Sequence, residues 1–89
     1  LHETITADNW VHHGRVEAWE PDEGCLLRHN FLVYGYDHQD ETVAMLLRAI
    51  QALFPERVSR RGKFAIEDFN DHRLTTVEDV IRVCKVADV

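Results

Sequence analysis

From Val43 to Phe54 the chain reads VAMLLRAIQALF, and only Arg48 and Gln51 interrupt the apolar run. Val43, Leu46, Leu47, Ile50 and Leu53 recur at the three- and four-residue spacing that lines one face of a helix, so the pattern predicts a helix over this stretch. Asp40 and Glu41 place negative charge at its expected start, where free backbone N–H groups need partners, and Pro55 cannot extend the hydrogen-bond ladder past Phe54. Around the helix the polar stripe is narrow. Glu41, Arg48 and Gln51 share it with Ala44, Met45 and Ala52, which leaves more apolar surface than one sheet contact requires. A second covering element is expected, chiefly another helix of the same chain, with a partner chain as the alternative.

The remaining segments show strand-like patterning or β-branched content. Ile5 between two threonines suggests either a short edge strand or a frayed end. Trp10, Val11, Val16 and Trp19 predict a strand over Trp10 to Glu20, with Gly14 as a bulge. In EPDEG, Pro21 presets the second position of a turn and Gly24 is expected to supply a positive φ, folding a second strand, Cys25 to Tyr36, back as a hairpin. That strand places Cys25, Leu27, Phe31 and Val33 on one side with His29, and Leu26, Leu32, Tyr34 and Tyr36 on the other with Arg28 and Asn30. Neither side is cleanly polar, as expected of a central strand. Phe64 and Ile66 against Ala65, Glu67 and Phe69 predict a third strand, Lys63 to Phe69. Thr76 to Ala87 carries Val77, Val80, Ile81 and Cys84 on one helical stripe, and Thr75 with Glu78 has the spacing of a capping box. Its β-branched content makes that helix dependent on docking. The expected fold class is α+β: a two-layer sandwich of order ββαβα, a hairpin followed by α-β-α, with two helices covering a small sheet.

Shifting the chain by 34 residues, Asp37 onto Asp71, lays DHQDETVAMLLRAI over DHRLTTVEDVIRVC. His38 meets His72, Thr42 meets Thr76, Val43 meets Val77 and Arg48 meets Arg82, and the apolar phase is kept. A strand, Asp-His loop, helix unit used twice would account for this. With parallel strands and a right-handed crossover, both loops would emerge at one sheet edge, beside two helix N-termini. Asp37, His38, Asp71 and His72 would then form one polar site with ligand types suited to an anion or a divalent metal. Exposed spacers and Asx turns are the plainer account of the same residues.

Composition narrows the functional classes. At 89 residues, one domain is expected, burying about 60–65% of its unfolded surface and leaving little core in which to build a deep cleft. No apolar run approaches the roughly 20 residues of a bilayer span, so the chain is expected to be soluble with no membrane association. A net charge of −6 disfavours polyanion binding unless a local patch overrides it. That patch would be Arg57, Arg60, Arg61 and Lys63 in PERVSRRGK, although its arginines are not interleaved with aromatics. Cys25 and Cys84 lack metal-ligand spacing and read as reduced, buried thiols. No signal-peptide pattern is visible, which leans the expected location to the cytoplasm; the chain begins at Leu1, as a processed or trimmed N-terminus would.

No Gly-rich phosphate loop, nucleophile elbow, CxxC or HExxH motif occurs, which lowers the expectation of an enzyme, and no cofactor is implied. His12 and His13 are adjacent, so on a regular strand they would point to opposite faces. The favoured expectation is a small interaction or regulatory module that binds another protein or itself, with Trp10, Trp19, Tyr34, Tyr36 and Met45 as interface candidates. The alternatives are a nucleic acid or phosphate binder through the basic loop, and a small enzyme or metal binder at the Asp-His pairs.

Overall fold

Helix α1, Leu26–Leu53, is the longest element, and the other helices pack along it. The computed structural model describes residues 1–12 and 19–89, with only the backbone described at Tyr36 and His38. A short 3-10 turn, Pro55–Arg57, follows α1, then α2, Lys63–Asp71, and α3, Val77–Ala87. The chain is therefore an all-helical small domain, and the expected α+β sandwich of order ββαβα is overturned. Among the described residues the β-type pairing is a single isolated parallel bridge between Trp10 and Gly24. Most of the expected first strand, including His13, Gly14 and Val16, lies outside the described residues. The second and third expected strands, Cys25 to Tyr36 and Lys63 to Phe69, are instead largely the start of α1 and most of α2.

At 28 residues α1 would run about 42 Å if straight, longer than the 31 Å of the molecule's greatest dimension. Gly35 resolves the mismatch. Its φ of 68° and ψ of −166° break the helical path inside α1, in a region of backbone space that is essentially open to glycine alone. Before the break, Leu26, His29 and Asn30 are buried; after it, Val43, Leu46, Ala49 and Ile50 continue the buried stripe. Asp40 and Glu41, expected at the helix start, lie well inside α1, downstream of the break. Phe54 ends it, its N–H bonding to the Ile50 carbonyl at 2.7 Å, and Pro55 opens the 3-10 turn.

The core is built where α2 and α3 meet α1. Ile66 and Phe69 of α2, Val80, Val83 and Cys84 of α3, and Leu26, Leu46 and Ile50 of α1 are almost wholly enclosed. Phe54 stacks on Phe69 with ring centroids 5.4 Å apart. The stripe predicted for the last helix is thus confirmed at Val80 and Cys84, but its cap is shifted by one residue. Thr76, rather than Thr75, accepts from the Asp79 N–H at 3.3 Å, and the Asp79 carboxylate accepts from the Thr76 N–H at 3.2 Å. Thr75 is buried and accepts instead from Arg57 at 3.3 Å. The chain ends meet, with the His2 N–H and ring Nδ1 both donating to the Val89 carbonyl, at 3.3 and 3.0 Å.

Asn70, which is fully enclosed near the end of α2, ties the segment before α1 to the helices. Its Oδ1 accepts from the Trp10 indole Nε1 at 2.7 Å and from the Leu26 N–H at 3.0 Å. Its Nδ2 faces the carbonyls of Val11 at 3.0 Å and His12 at 3.2 Å, and the Asp71 carboxylate at 3.0 Å. The first N–H groups of a helix lack intrahelical acceptors, and Cys25 offers α1 no side-chain cap. Asn70 therefore caps α1 from another helix. The turn expected at Pro21 is present, with the Glu23 N–H donating to the Glu20 carbonyl at 3.0 Å. Gly24, however, does not adopt the expected positive φ. It is required there because the aliphatic stem of Arg28 occupies the space a Cβ would fill.

Candidate functional site

The broad apolar surface of α1 is covered by α2 on one flank and α3 on the other, and the strip between them remains open around Arg48. Two shallow grooves border this strip. The one toward α2 holds about 310 Å³ and is floored by Leu47, Ile50, Val58 and Ala65, with Arg48, Arg60 and Arg61 among its lining residues. The one toward α3 holds about 270 Å³ and is lined by Met45, Ala49, Ala52, Val86 and Ala87, again with Arg48. Val86 is 54% exposed. An apolar side chain left this open at a groove rim is available to a neighbour's hydrophobic surface.

The basic loop is divided by its own ion pairs. Arg57 donates to the Asp79 carboxylate at 2.7 Å while its guanidinium lies 4.3 Å from the centre of the Phe54 ring. Burial pushes the Asp79 carboxyl up, but the Arg57 bond and the Thr76 N–H outweigh it and hold it below its ordinary value. Arg60 bonds Asp68 through its Nε at 2.8 Å and a terminal nitrogen at 2.6 Å. Asp68 also accepts from the N–H groups of Ser59 at 3.2 Å and Arg60 at 2.8 Å. The Arg60 bond, with these N–H groups, lowers the Asp68 carboxyl to about 2. Arg57 and Arg60 are thus engaged in holding the loop to α3 and α2. Arg61 and Lys63 are exposed.

Asp37 and His38 lie in α1 just beyond the Gly35 break, whereas Asp71 ends α2 and His72 follows as its C-cap. The two copies of the 34-residue offset share helical apolar stretches, but their Asp-His pairs occupy different settings. The sheet edge expected to assemble them is absent, because the segments preceding them are helical. The His72 carbonyl accepts from the His12 ring at 2.6 Å, and the His72 Nδ1 accepts from the Leu74 N–H at 3.2 Å. Among the described residues no group of three or more His, Cys, Asp or Glu is placed to hold a metal ion.

The interface candidates divide in the same way. Trp10 is half-buried and tied to Asn70; Trp19 is half-buried, 5.8 Å from the Arg28 guanidinium; Tyr34 packs against the core; and the Tyr36 side chain is not described. The aromatic sheet surface expected to unite them does not exist. Of the five, Met45 lines a groove beside Arg48. Both cysteines are free thiols raised by burial, Cys84 to about 12, so neither is activated as a nucleophile.

The grooves bring in Val58, Ala65 and Val86, which the sequence reading did not select. The available signal was the narrow polar stripe around Arg48, padded by small residues where two neighbours must pass. Asn70 was missed as well, although an asparagine on the helical stripe Ala65, Ile66 and Phe69 is a visible anomaly. The chain matches no family model, no curated protein and no solved structure.

Proposed function

We propose that this chain is a small helical protein-docking module, and that its recognition surface is the strip of α1 around Arg48 with the apolar grooves on either side. The observation that carries the reading is the incomplete cover of α1. Its neighbours bury Leu46, Ala49 and Ile50 but leave Met45 partly open beside the exposed Val86, and Leu47 partly open in the groove toward α2. Preformed apolar grooves of this kind accept a helix that presents side chains at i, i+3, i+4 and i+7. A polyanion is less well served, since the chain carries −6 overall and Arg57 and Arg60 are committed to carboxylates. No helix among the described residues is long and apolar enough to cross a membrane.

The test is an NMR titration of isotope-labelled protein with a short, uncharged amphipathic peptide bearing leucines at helical spacing, alongside sedimentation over a range of protein concentrations. The expected result is amide shifts concentrated at Leu47, Gln51, Ala52 and Val86, produced by the peptide or by self-association. Shifts confined to the opposite side of α1, or none in either experiment, would overturn the reading.

A further inference from the structure

We infer that the groove between α1 and α2 receives an acidic protein segment, one whose aliphatic anchors lie between carboxylates. This rests on the docking reading above and specifies the chemistry of the partner. In a chain with 16 acidic and 10 basic residues, every charged residue lining this groove is an arginine. Arg60 is already held by Asp68 and lies over the Phe64 ring at 5.0 Å. Arg48 and Arg61 line the groove, are exposed, and form no ion pair among the described residues. Between them the floor is aliphatic: Leu47, Ile50, Val58 and Ala65.

Each half of this arrangement selects against a different competitor. The aliphatic floor has no aromatic face on which a nucleobase could stack, and two uncommitted arginines offer few phosphate contacts. An uncharged apolar segment would fill the floor but leave Arg48 and Arg61 without carboxylates. The repulsion from the net charge of −6 acts at long range and is screened beyond about 8 Å at physiological salt. Close pairs with Arg48 and Arg61 are retained, which favours a short acidic segment over an extended polyanion.

The experiment compares two short peptides with the same leucine spacing, one carrying glutamates and the other glutamines at the intervening positions. Each is titrated into the isotope-labelled full chain and into an Arg48→Ala, Arg61→Ala double variant, whose unchanged thermal melting would show an intact fold. The glutamate peptide should shift the amides of Leu47, Val58, Arg61 and Ala65 and bind about fivefold more tightly than its glutamine counterpart, the sum expected of two exposed ion pairs. That preference should collapse in the double variant and at about 0.5 M salt. Equal binding of the two peptides at these residues would overturn the acidic partner while leaving the docking module standing. Absence of binding by either peptide, with no self-association, would remove both. A single-stranded oligonucleotide that displaces the glutamate peptide, or dilution-dependent shifts at the same amides in the protein alone, would also overturn it, naming nucleic acid or a second copy as the occupant.

Discussion

Two asparagines are completely enclosed in this protein, and replacing each by leucine should move stability in opposite directions. Asn70 accepts from Trp10 Nε1 and the Leu26 N–H and donates toward the carbonyls of Val11 and His12. Among the described residues, neither side-chain polar atom of Asn30, on the buried stripe of α1, has a hydrogen-bond partner. Leucine has asparagine's branched skeleton but is bulkier, so a crowding term enters both changes and the difference between them reports the polar bookkeeping. Asn70→Leu strands the Trp10 and Leu26 donors, at about 1–3 kcal/mol for each buried group left unsatisfied. Trp10 is half-buried and recovers part of its loss from water, so the expected penalty is about 3–4 kcal/mol. Asn30→Leu strands nothing and removes the desolvation cost of an unpaired amide, so it should be neutral or stabilising by about 1–3 kcal/mol. An 89-residue domain has a total stability of about 4–13 kcal/mol, so both changes are measurable by urea unfolding followed by circular dichroism. If Asn70→Leu lacks a native baseline, it can be measured in the Asn30→Leu background. Equal destabilisation by the two changes would refute the claim that Asn70 ties the N-terminal segment to α1 and α2.

Gly35→Ala should cost about 1–3 kcal/mol, because an alanine Cβ meets nothing within 4 Å and the whole penalty lies in the backbone conformation; unchanged urea stability would show that α1 does not need its break. Asp68 titrates at about 2 in the folded chain against an ordinary 3.8, so its contribution is present above that ordinary value and is lost as pH falls toward 2. Asp68→Asn should therefore flatten the acid-unfolding curve in that window and leave its shape near neutrality unaltered; an identical acid slope would remove Asp68 as its source. Asp88 ends α3 in the left-handed conformation at φ 61°, where glycine has no steric penalty. Asp88→Gly should raise stability by about 0.5–1 kcal/mol in thermal unfolding, and a fall would contradict that reasoning.

Val43, Leu46 and Ile50, and likewise Val80 and Cys84, lie on buried faces that their spacing alone makes visible. Periodicity is a local property of the chain: a helix puts residues three and four apart on one side whatever surrounds it, and apolar side chains there need only some apolar neighbour. The stop at Pro55 and the turn at Pro21 are local in the same sense, since the proline ring acts on its own backbone. The start of α1 and all of α2 were decided otherwise. Their buried faces include His29, Asn30 and Asn70, so the apolar stripe is interrupted where it is most enclosed, while Phe31, Val33, Tyr34 and Phe64 favour strand by local preference. His29 is tolerated inside because its Nε2 reaches the Asn9 carbonyl at 2.9 Å, and Asn70 because Trp10, Val11, His12 and Leu26 converge on it from far along the chain. Those partners exist only once the tertiary structure has formed. The grooves beside Arg48 belong to the same category: the sequence alone marked a helix with too wide an apolar face, and the placement of α2 and α3 decided which part stayed open, because covering a cylinder from two sides leaves a strip that neither neighbour reaches.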